Sequence, residues 1–327
     1  MKRRNLLYQL PAWLAAPRLA RAQSGPKLLV VLTFFAKANS AEYEAAVRQE
    51  LARLGWRVGD NLRLEIRYAD NQPERLDALA RELMALQPTA ALVTETFTVR
   101  ALMRHSTRLP IITAASFDPV ADGLAASLGR PGGQVTGMTN LFEDIRPKSY
   151  ELARQMAPSA RRLAGLFHRL MIPEGQLDAA MAGPRRMAQQ VGLEYLPLPL
   201  RNAGEIEAAL RALTPVREHV LLVNGDLLTF PNFASIAALA RTLRLPSGSQ
   251  HSGYVQAGGL FAYGADNMAI WLRAVQKADE VLRGKPVGEI PFEQPTRIIL
   301  TLNRETANSI GLTLPRELLL RADEVIG

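Results

Sequence analysis

Carboxylate, hydroxyl and aromatic side chains follow the short apolar runs of this sequence, at positions where a binding site could be built. Each run is typical of a buried parallel strand, and the carboxyl ends of such strands meet at one edge of a sheet. The candidate ligand contacts chosen on this ground are Thr33, Phe34, Glu95, Thr96, Ser116, Asp118, His168, Asn224, Asp226 and Tyr263. We expect these side chains to surround one small molecule.

The residue types indicate a ligand that carries both charge and apolar surface. Three carboxylates could pair with a ligand ammonium group, namely Glu95, Asp118 and Asp226. Thr96 and Thr98 stand at the start of a predicted helix, whose free N–H groups suit a ligand carboxylate. Three rings could pack on an apolar substituent, namely Phe34, Phe35 and Phe97. A zwitterion or a small amine with an apolar part, as an amino acid would be, fits this set best.

Each of these positions also has a purely structural explanation, which the sequence leaves open. Thr96 could only cap a helix, and Asp118 or Asp226 could only fix a turn. A histidine such as His168 more often lies on the surface, and Phe34 could equally belong to the core. The candidates are therefore hypotheses about ligand contact.

The motifs of common catalytic chemistry are absent from the sequence. It has no G-x-x-x-x-G-K-[ST] phosphate loop and no G-x-S-x-G nucleophile turn. It has no cysteine, and its four histidines are too scattered to match the spacing of metal ligands. We therefore expect a protein without catalytic residues, metal or cofactor.

The elements that must position the candidates alternate between strand and helix. KLLVVL at 27–32 is a continuous apolar run, and the segment that follows it repeats apolar residues at helical spacing. The alternation continues to about residue 115 and starts again after residue 147. It predicts an α/β fold with two doubly wound, Rossmann-like lobes. A helix is also expected over 120–128, before the Pro-Gly-Gly at 131–133.

The last part of the chain has too few elements to bury a core of its own, so these must join the two lobes. The chain would then cross between the lobes at three segments, near 134–140, 256–262 and 290–296. The expected division gives lobe one residues 23–138 and 260–292, and it gives lobe two residues 139–259 and 293–327.

The first 22 residues read as an export signal. They carry five basic residues and no acid, which leaves +3 of the total net charge of +8 for the rest of the chain. A short apolar segment at 6–16 leads to Ala20-Arg21-Ala22, which fits a signal-peptide cleavage site. The net charge of the remaining chain is small, and its sequence has no run of basic residues interleaved with aromatic residues. We therefore expect no nucleic-acid partner.

Three stretches stand out in the sequence: SFDPVADGLAASLGRPGGQVTGMT (116–139), YVQAGGLFAYGAD (254–266) and the long block from VLRGKPVGEIPF to the C-terminus (281–327). They resemble the ABC-transporter substrate-binding proteins of the tryptophan-binding type. The resemblance implies the class I periplasmic-binding-protein fold, with a ligand cleft between two lobes joined by three crossings. It implies a periplasmic receptor, which we expect to be monomeric, that delivers a small solute to a separate membrane permease and ATPase.

The sequence departs from that family at three positions expected to face the cleft. Glu95-Thr96 stands where the family tends to have Gly-Thr, and His168-Arg169-Leu170 stands where it tends to have an Asn-Pro turn. The usual aromatic is missing from Pro246-Ser247-Gly248-Ser249. These differences leave the identity of the ligand open. Two rival functions also remain: a two-lobed α/β enzyme such as a glycosyltransferase or racemase, and a sensory ligand-binding subunit.

Overall fold

The structure is a computed structural model that describes residues 25–116, 118–140, 142–172 and 174–327. The expected export signal at 1–22 lies outside these residues. Across the described part of the chain, none of the helices combines the length and the apolar character that crossing a membrane requires.

The first lobe is built on a five-stranded, fully parallel sheet in the order β2-β1-β3-β4-β5. Its strands are β1 (Lys27–Thr33), β2 (Leu62–Tyr68), β3 (Ala90–Val93), β4 (Ile111–Ser116) and β5 (Val135–Thr139). The helices between them are α1 (Ala41–Arg53), α2 (Leu76–Ala85) and α3 (Thr96–Met103). This is the doubly wound pattern that the alternation of apolar runs predicts.

The second lobe is built on a seven-stranded sheet in the order β12-β11-β10-β9-β8-β6-β7. Its strands are β6 (Arg162–His168), β7 (Glu194–Leu200), β8 (His219–Val223), β9 (Ser247–Ser249), β10 (Phe261–Ala265), β11 (Ile298–Asn303) and β12 (Glu324–Ile326). Only the pairing of β10 with β11 is antiparallel.

Eight further α-helices lie in the described chain. They are α4 (Phe142–Met156), α5 (Leu177–Gln190), α6 (Ile206–Arg211), α7 (Phe233–Thr242), α8 (Gly253–Gln256), α9 (Asn267–Leu282), α10 (Arg304–Ser309) and α11 (Arg316–Arg321). Each of them follows or precedes a strand of the second sheet in the chain, but α9, which lies between β10 and β11, packs on the first sheet.

Both faces of the first sheet are buried, since successive residues of a strand point to opposite faces. Leu28, Val30 and Leu32 of β1 belong to one core cluster, and Leu29 and Val31 belong to another. The second cluster is closed by α1 and by α9, whose apolar side chains include Ile270, Ala274, Val275 and Ala278. A continuous apolar run such as β1 is therefore explained by cover on both sides.

The chain crosses between the lobes three times, as expected, but the second crossing is displaced. The first follows β5, and the third follows Glu293, whose backbone pairs with Met138 of β5. The expected division began lobe one again at residue 260, whereas β10 (261–265) pairs with β9 and β11 in the second sheet. The crossing therefore lies at Asp266, and only the part of 260–292 beyond it packs on the first lobe.

The helix expected over 120–128 does not form. The segment consists of turns and bends, in which Asp118 Oδ1 accepts hydrogen bonds from the Val120 and Ala121 N–H groups, each at 3.0 Å. Gly123 has a φ of 70°, a left-handed conformation that ends the turn after one winding. The expected helix is therefore replaced by a turn, because the glycine prevents helical backbone from continuing.

Candidate functional site

A cavity of about 500 Å³ lies between the two lobes. The first lobe lines it with residues from β1, α1, β2, the ends of β3 and β4, and the start of α9. The second lobe lines it with Phe230, Phe233 and Ala234, and with residues between His251 and Ala257. Because each lobe supplies one wall, a molecule in this cavity would contact both.

Aromatic rings from both lobes meet at the cavity. The Phe35 ring of the first lobe lies 5.3 Å from the Phe230 ring of the second, measured between ring centroids. The Phe230 ring in turn lies 5.0 Å from the His251 ring. On the other side, Tyr43 of α1 and Trp271 of α9 lie 6.1 Å apart. These rings make the cavity suited to an apolar or aromatic substituent.

Glu95 occupies the N-cap position of α3, with its side chain in the cavity wall. Thr98 Oγ1 accepts a hydrogen bond from the Glu95 N–H at 3.0 Å and donates one to the Glu95 carbonyl at 2.6 Å. The exchange is part of a capping box between Glu95 and Thr98, which fixes the backbone at the start of α3. Burial raises the pKa of the Glu95 carboxyl to about 8.

Glu44 is the second carboxylate in the wall, and its charge is already compensated. It accepts a hydrogen bond from the Tyr68 hydroxyl and two from the Arg48 guanidinium, at 2.9 and 2.7 Å. The bond from Tyr68, followed by the bond from Arg48, holds the pKa of Glu44 below its ordinary value. Burial and the same bond raise the pKa of Tyr68 above its ordinary value.

His251 brings a neutral ring to the second-lobe wall. Its Nδ1 accepts a hydrogen bond from the Gly253 N–H at 3.1 Å, and its Nε2 lies 3.4 Å from the Asn267 amide nitrogen of α9. Burial lowers the pKa of His251 to about 4, so the ring is uncharged at neutral pH. The contact with Asn267 is a second link between the lobes.

Two of the ten predicted contacts, Thr33 and Glu95, line the cavity. Thr33 is buried at the end of β1, where its hydroxyl accepts a hydrogen bond from the Phe35 N–H at 3.2 Å. The other eight are described residues that lie outside its lining. Ligand contact at these eight positions stays a prediction. The structure shows what most of these residues contact within their own lobe.

Four of the eight lie near the first sheet. Phe34 is fully buried in the core and packs edge-on against Phe97, with ring centroids 5.0 Å apart. The hydroxyls of Thr96 and Ser116 lie 3.4 Å apart between α3 and β4. Asp118 holds the turn described above.

The remaining four lie in the second lobe. Asp226 is buried, and its carboxylate accepts hydrogen bonds from the N–H groups of His168, Leu228 and Thr229 at 2.7 to 2.9 Å. The Asn224 carbonyl accepts a hydrogen bond from the Thr229 hydroxyl, and Tyr263 packs on the second-lobe core. These contacts give Asp226 a structural role in its turn.

Several lining residues were missed by reasoning from strand ends. They are Tyr43, Glu44, Phe230, His251, Asn267 and Trp271. All lie on helices or in loops some residues beyond a strand, where the sheet-edge rule does not reach. A sequence signal could have identified two of them. Tyr43 and Trp271 are large aromatic residues on α1 and α9, the helices of the first-lobe wall.

Two doubly wound units joined by three crossings, with a cavity between them, define the class I periplasmic-binding-protein architecture. A family profile described as ABC transporter substrate binding protein matches residues 30–326. The chain belongs to this family, which comprises binding proteins rather than enzymes.

Individual relatives are distant in sequence and similar in fold. A tyrosine-binding protein of Clostridioides difficile strain R20291 is 24% identical over 259 residues, which cover 79% of this chain and 73% of that protein. A Streptococcus pneumonia ABC domain in complex with L-Trp is 19% identical, with a TM-score of 0.81 and coverage of 92% and 100% of the two chains. A ligand-free, open substrate-binding protein from Clostridium difficile is 19% identical, with a TM-score of 0.68 and coverage of 92% and 99%.

Proposed function

We propose that the chain is the exported solute receptor of an ABC importer and binds an amino-acid-like solute in the inter-lobe cavity. The observation that carries this proposal is the position of the cavity, whose opposite walls come from different lobes. The family supports the receptor role, and the relatives named for tyrosine and bound to L-Trp support an amino-acid-like ligand.

The mechanism is closure of the two lobes around the solute. A molecule that contacts Thr33 and Glu95 on one wall and His251 and Gln256 on the other stabilises the arrangement in which both walls are near it. The three crossings are the segments that absorb the movement, as in other hinge-closing proteins. No bond is made or broken, so the chain acts as a binding protein and not as an enzyme.

The partners and location follow from the receptor role. The closed, loaded receptor docks on a separate membrane permease, and a separate ATPase drives transport. The protein works as a monomer in the periplasm after removal of the export signal near Ala22. The basic N-terminal segment and its small-residue cleavage site support this location.

Mass spectrometry of the natively purified protein tests the proposal. The chain from Gln23 onward is purified without denaturant, unfolded, and the released small molecules are identified. We expect a stoichiometric small organic solute whose return to the refolded protein raises its melting temperature. Turnover of that solute by the protein would instead assign an enzyme.

A further inference from the structure

The acidic and basic side chains of the described cavity lining are unevenly divided. Among the described residues, the lining contains two carboxylates, Glu44 and Glu95, and no lysine or arginine. His251 supplies no positive charge at neutral pH, because burial lowers its pKa to about 4. A ligand in this cavity therefore meets no cationic side chain of the described chain.

Only one of the two carboxyl groups is left to act on a ligand. Glu44 is held by Arg48 at 2.7 Å, so its charge is balanced within the first lobe. No lysine or arginine of the described residues forms an ion pair with Glu95, and burial is the cause of its raised pKa. A buried carboxylate without a cation is unfavourable, so a cation brought by the ligand would stabilise its ionised form.

A ligand carboxylate would find only neutral donors. The Thr33 hydroxyl accepts the Phe35 N–H, and the Thr94 hydroxyl accepts the Phe34 N–H at 3.3 Å, so each hydroxyl proton is available to donate. Such bonds are weaker than a bond to a cationic group. A carboxylate held there would also keep Glu95 protonated, because like charges in one low-dielectric site repel, and a ligand ammonium group would then have no counter-ion.

The rings of the lining favour the same ligand charge. Phe35, Tyr43, Phe230 and Trp271 all face this space. Aromatic rings attract an organic cation through their quadrupole and pack on its apolar substituent at the same time. The rings thus favour a ligand with an apolar substituent, and the carboxyl group favours a cationic group on the same ligand.

We propose that the ligand is an organic ammonium ion with an apolar or aromatic substituent and no free carboxylate, and that Glu95 is its counter-ion. This inference rests on the receptor role proposed above, and it narrows the amino-acid-like ligand to an amine that keeps the ammonium group and side chain of an amino acid but lacks the carboxylate. It distinguishes the cavity from one built for a zwitterion, in which a second charged group would need a partner of its own.

Matched pairs of small molecules test the inference on the unmodified protein. Calorimetry compares phenethylamine with phenylalanine, tyramine with tyrosine and tryptamine with tryptophan, and phenethyl alcohol serves as the neutral analogue. We expect at least one amine to bind about tenfold or more tightly than its parent amino acid and than the alcohol. This comparison needs no substitution, so it does not depend on the folding of a variant.

A variant then assigns the charge to Glu95. Glu95→Gln should weaken the amine about tenfold or more and change the affinity of the alcohol little. Glu74→Gln is the matched control, because Glu74 is exposed and lies outside the cavity lining. It should leave all affinities unchanged.

The opposing outcomes are distinct. If an amino acid binds more tightly than its amine, the ligand is a zwitterion, and the inference fails while the receptor function stands. If none of the amines binds, the inference also fails, and the copurified solute still decides the receptor function. If Glu95→Gln leaves the amine's affinity unchanged, Glu95 is not the counter-ion.

Discussion

The rings of Phe35 and Phe230 meet edge-on across the cleft, at a centroid distance of 5.3 Å and an interplanar angle of 80°. Phe35 follows the first strand of one lobe, and Phe230 lies between the third strand of the other lobe and its next helix. The contact therefore forms only when the two walls of the cavity are close together.

The first prediction concerns this ring pair. Phe35→Ala and Phe230→Ala should each weaken ligand binding, with a coupling energy between them of about 0.5–1.5 kcal/mol. A double-mutant cycle in binding calorimetry measures the coupling. Phe97→Ala is the control, because Phe97 packs on Phe34 within one lobe, and it should lower the melting temperature without coupling to Phe230. Strictly additive effects at Phe35 and Phe230 would contradict the role of the contact in closure.

The second prediction concerns the pH dependence of binding. Burial raises the pKa of Glu95 to about 8, whereas a bound ammonium ion requires the carboxylate. Binding of an amine should therefore release about one proton near pH 7 and almost none above about pH 9. The affinity should rise about tenfold per unit as the pH approaches 8 from below, level off, and fall again once the pH passes the pKa of the ligand's own ammonium group, which lies near that of lysine at about 10.

The other titratable groups in the described lining do not change charge in this range. Glu44 stays ionised because its pKa is lowered, and His251 stays neutral because its pKa is about 4. Tyr43 and Tyr68 stay neutral because burial raises the pKa of each. Calorimetry in buffers of different ionisation enthalpy measures the number of protons released on binding. No release at neutral pH would contradict the role of Glu95 as the counter-ion.

The third prediction concerns stability without ligand. A carboxyl group whose pKa is higher in the folded than in the unfolded state favours folding most at low pH. Its contribution falls as the pH rises from the unfolded pKa to about 8, and is then constant. Glu95→Gln removes this dependence, so the variant should be more stable than the wild-type protein at pH 8. Urea unfolding of both proteins at pH 5 and pH 8 measures the difference, and equal pH profiles would refute it.

The fourth prediction concerns Lys277, whose side chain is completely buried on α9. Its Nζ donates hydrogen bonds to the Pro291 carbonyl at 2.6 Å and to Glu293 Oε1 at 2.9 Å, beside the third crossing. Lys277→Met leaves the Pro291 carbonyl without this donor and should cost about 1–3 kcal/mol of unfolding free energy.

Lys285→Met is the matched control for Lys277. Lys285 is partly exposed and pairs with Glu280 on the surface, so its loss should cost no more than about 0.5 kcal/mol. Chemical unfolding compares the two variants. Similar losses of unfolding free energy would contradict a stabilising role for the hydrogen bonds of Lys277 beside the third crossing.

The fifth prediction concerns Gly137 in β5, within the first of the three family-like stretches. Its φ is 151°, and a Cβ there would lie 2.1 Å from the Thr113 carbonyl oxygen of the neighbouring strand. Gly137→Ala should therefore destabilise the protein by about 1–3 kcal/mol or more, through overpacking and backbone strain. Gly129→Ala is the control, because a Cβ at Gly129 meets nothing within 4 Å. Equal stability of the two variants in chemical unfolding would contradict this account.

The regular elements were accessible to sequence reasoning because their signals are local. The apolar run of β1 and the N-cap at Asp266, which accepts a hydrogen bond from the Ala269 N–H, follow from short stretches of sequence. The place of β10 was not accessible in this way. It is fixed by antiparallel pairing with β11, more than thirty residues further along the chain, and local patterns do not report such pairing.

The site was predictable only at its sheet edge. Glu95 and Thr33 stand close behind their strands, so topology alone places them near the cleft. His251 and Trp271 reach the same cavity from a loop and from the side of α9. Their positions depend on how the lobes pack together, and no periodicity in the sequence contains that information.

The position of α9 in the chain has a consequence for biosynthesis. This helix packs on β3, β4 and β5, whose Leu92, Ile112 and Met138 belong to the same core cluster, yet it is translated after ten of the twelve described strands. Until α9 (Asn267–Leu282) has left the ribosome, that apolar face of the first sheet has only the part of its native cover that α1 supplies. The N-terminal core is therefore complete only after most of the C-terminal third of the chain has been translated.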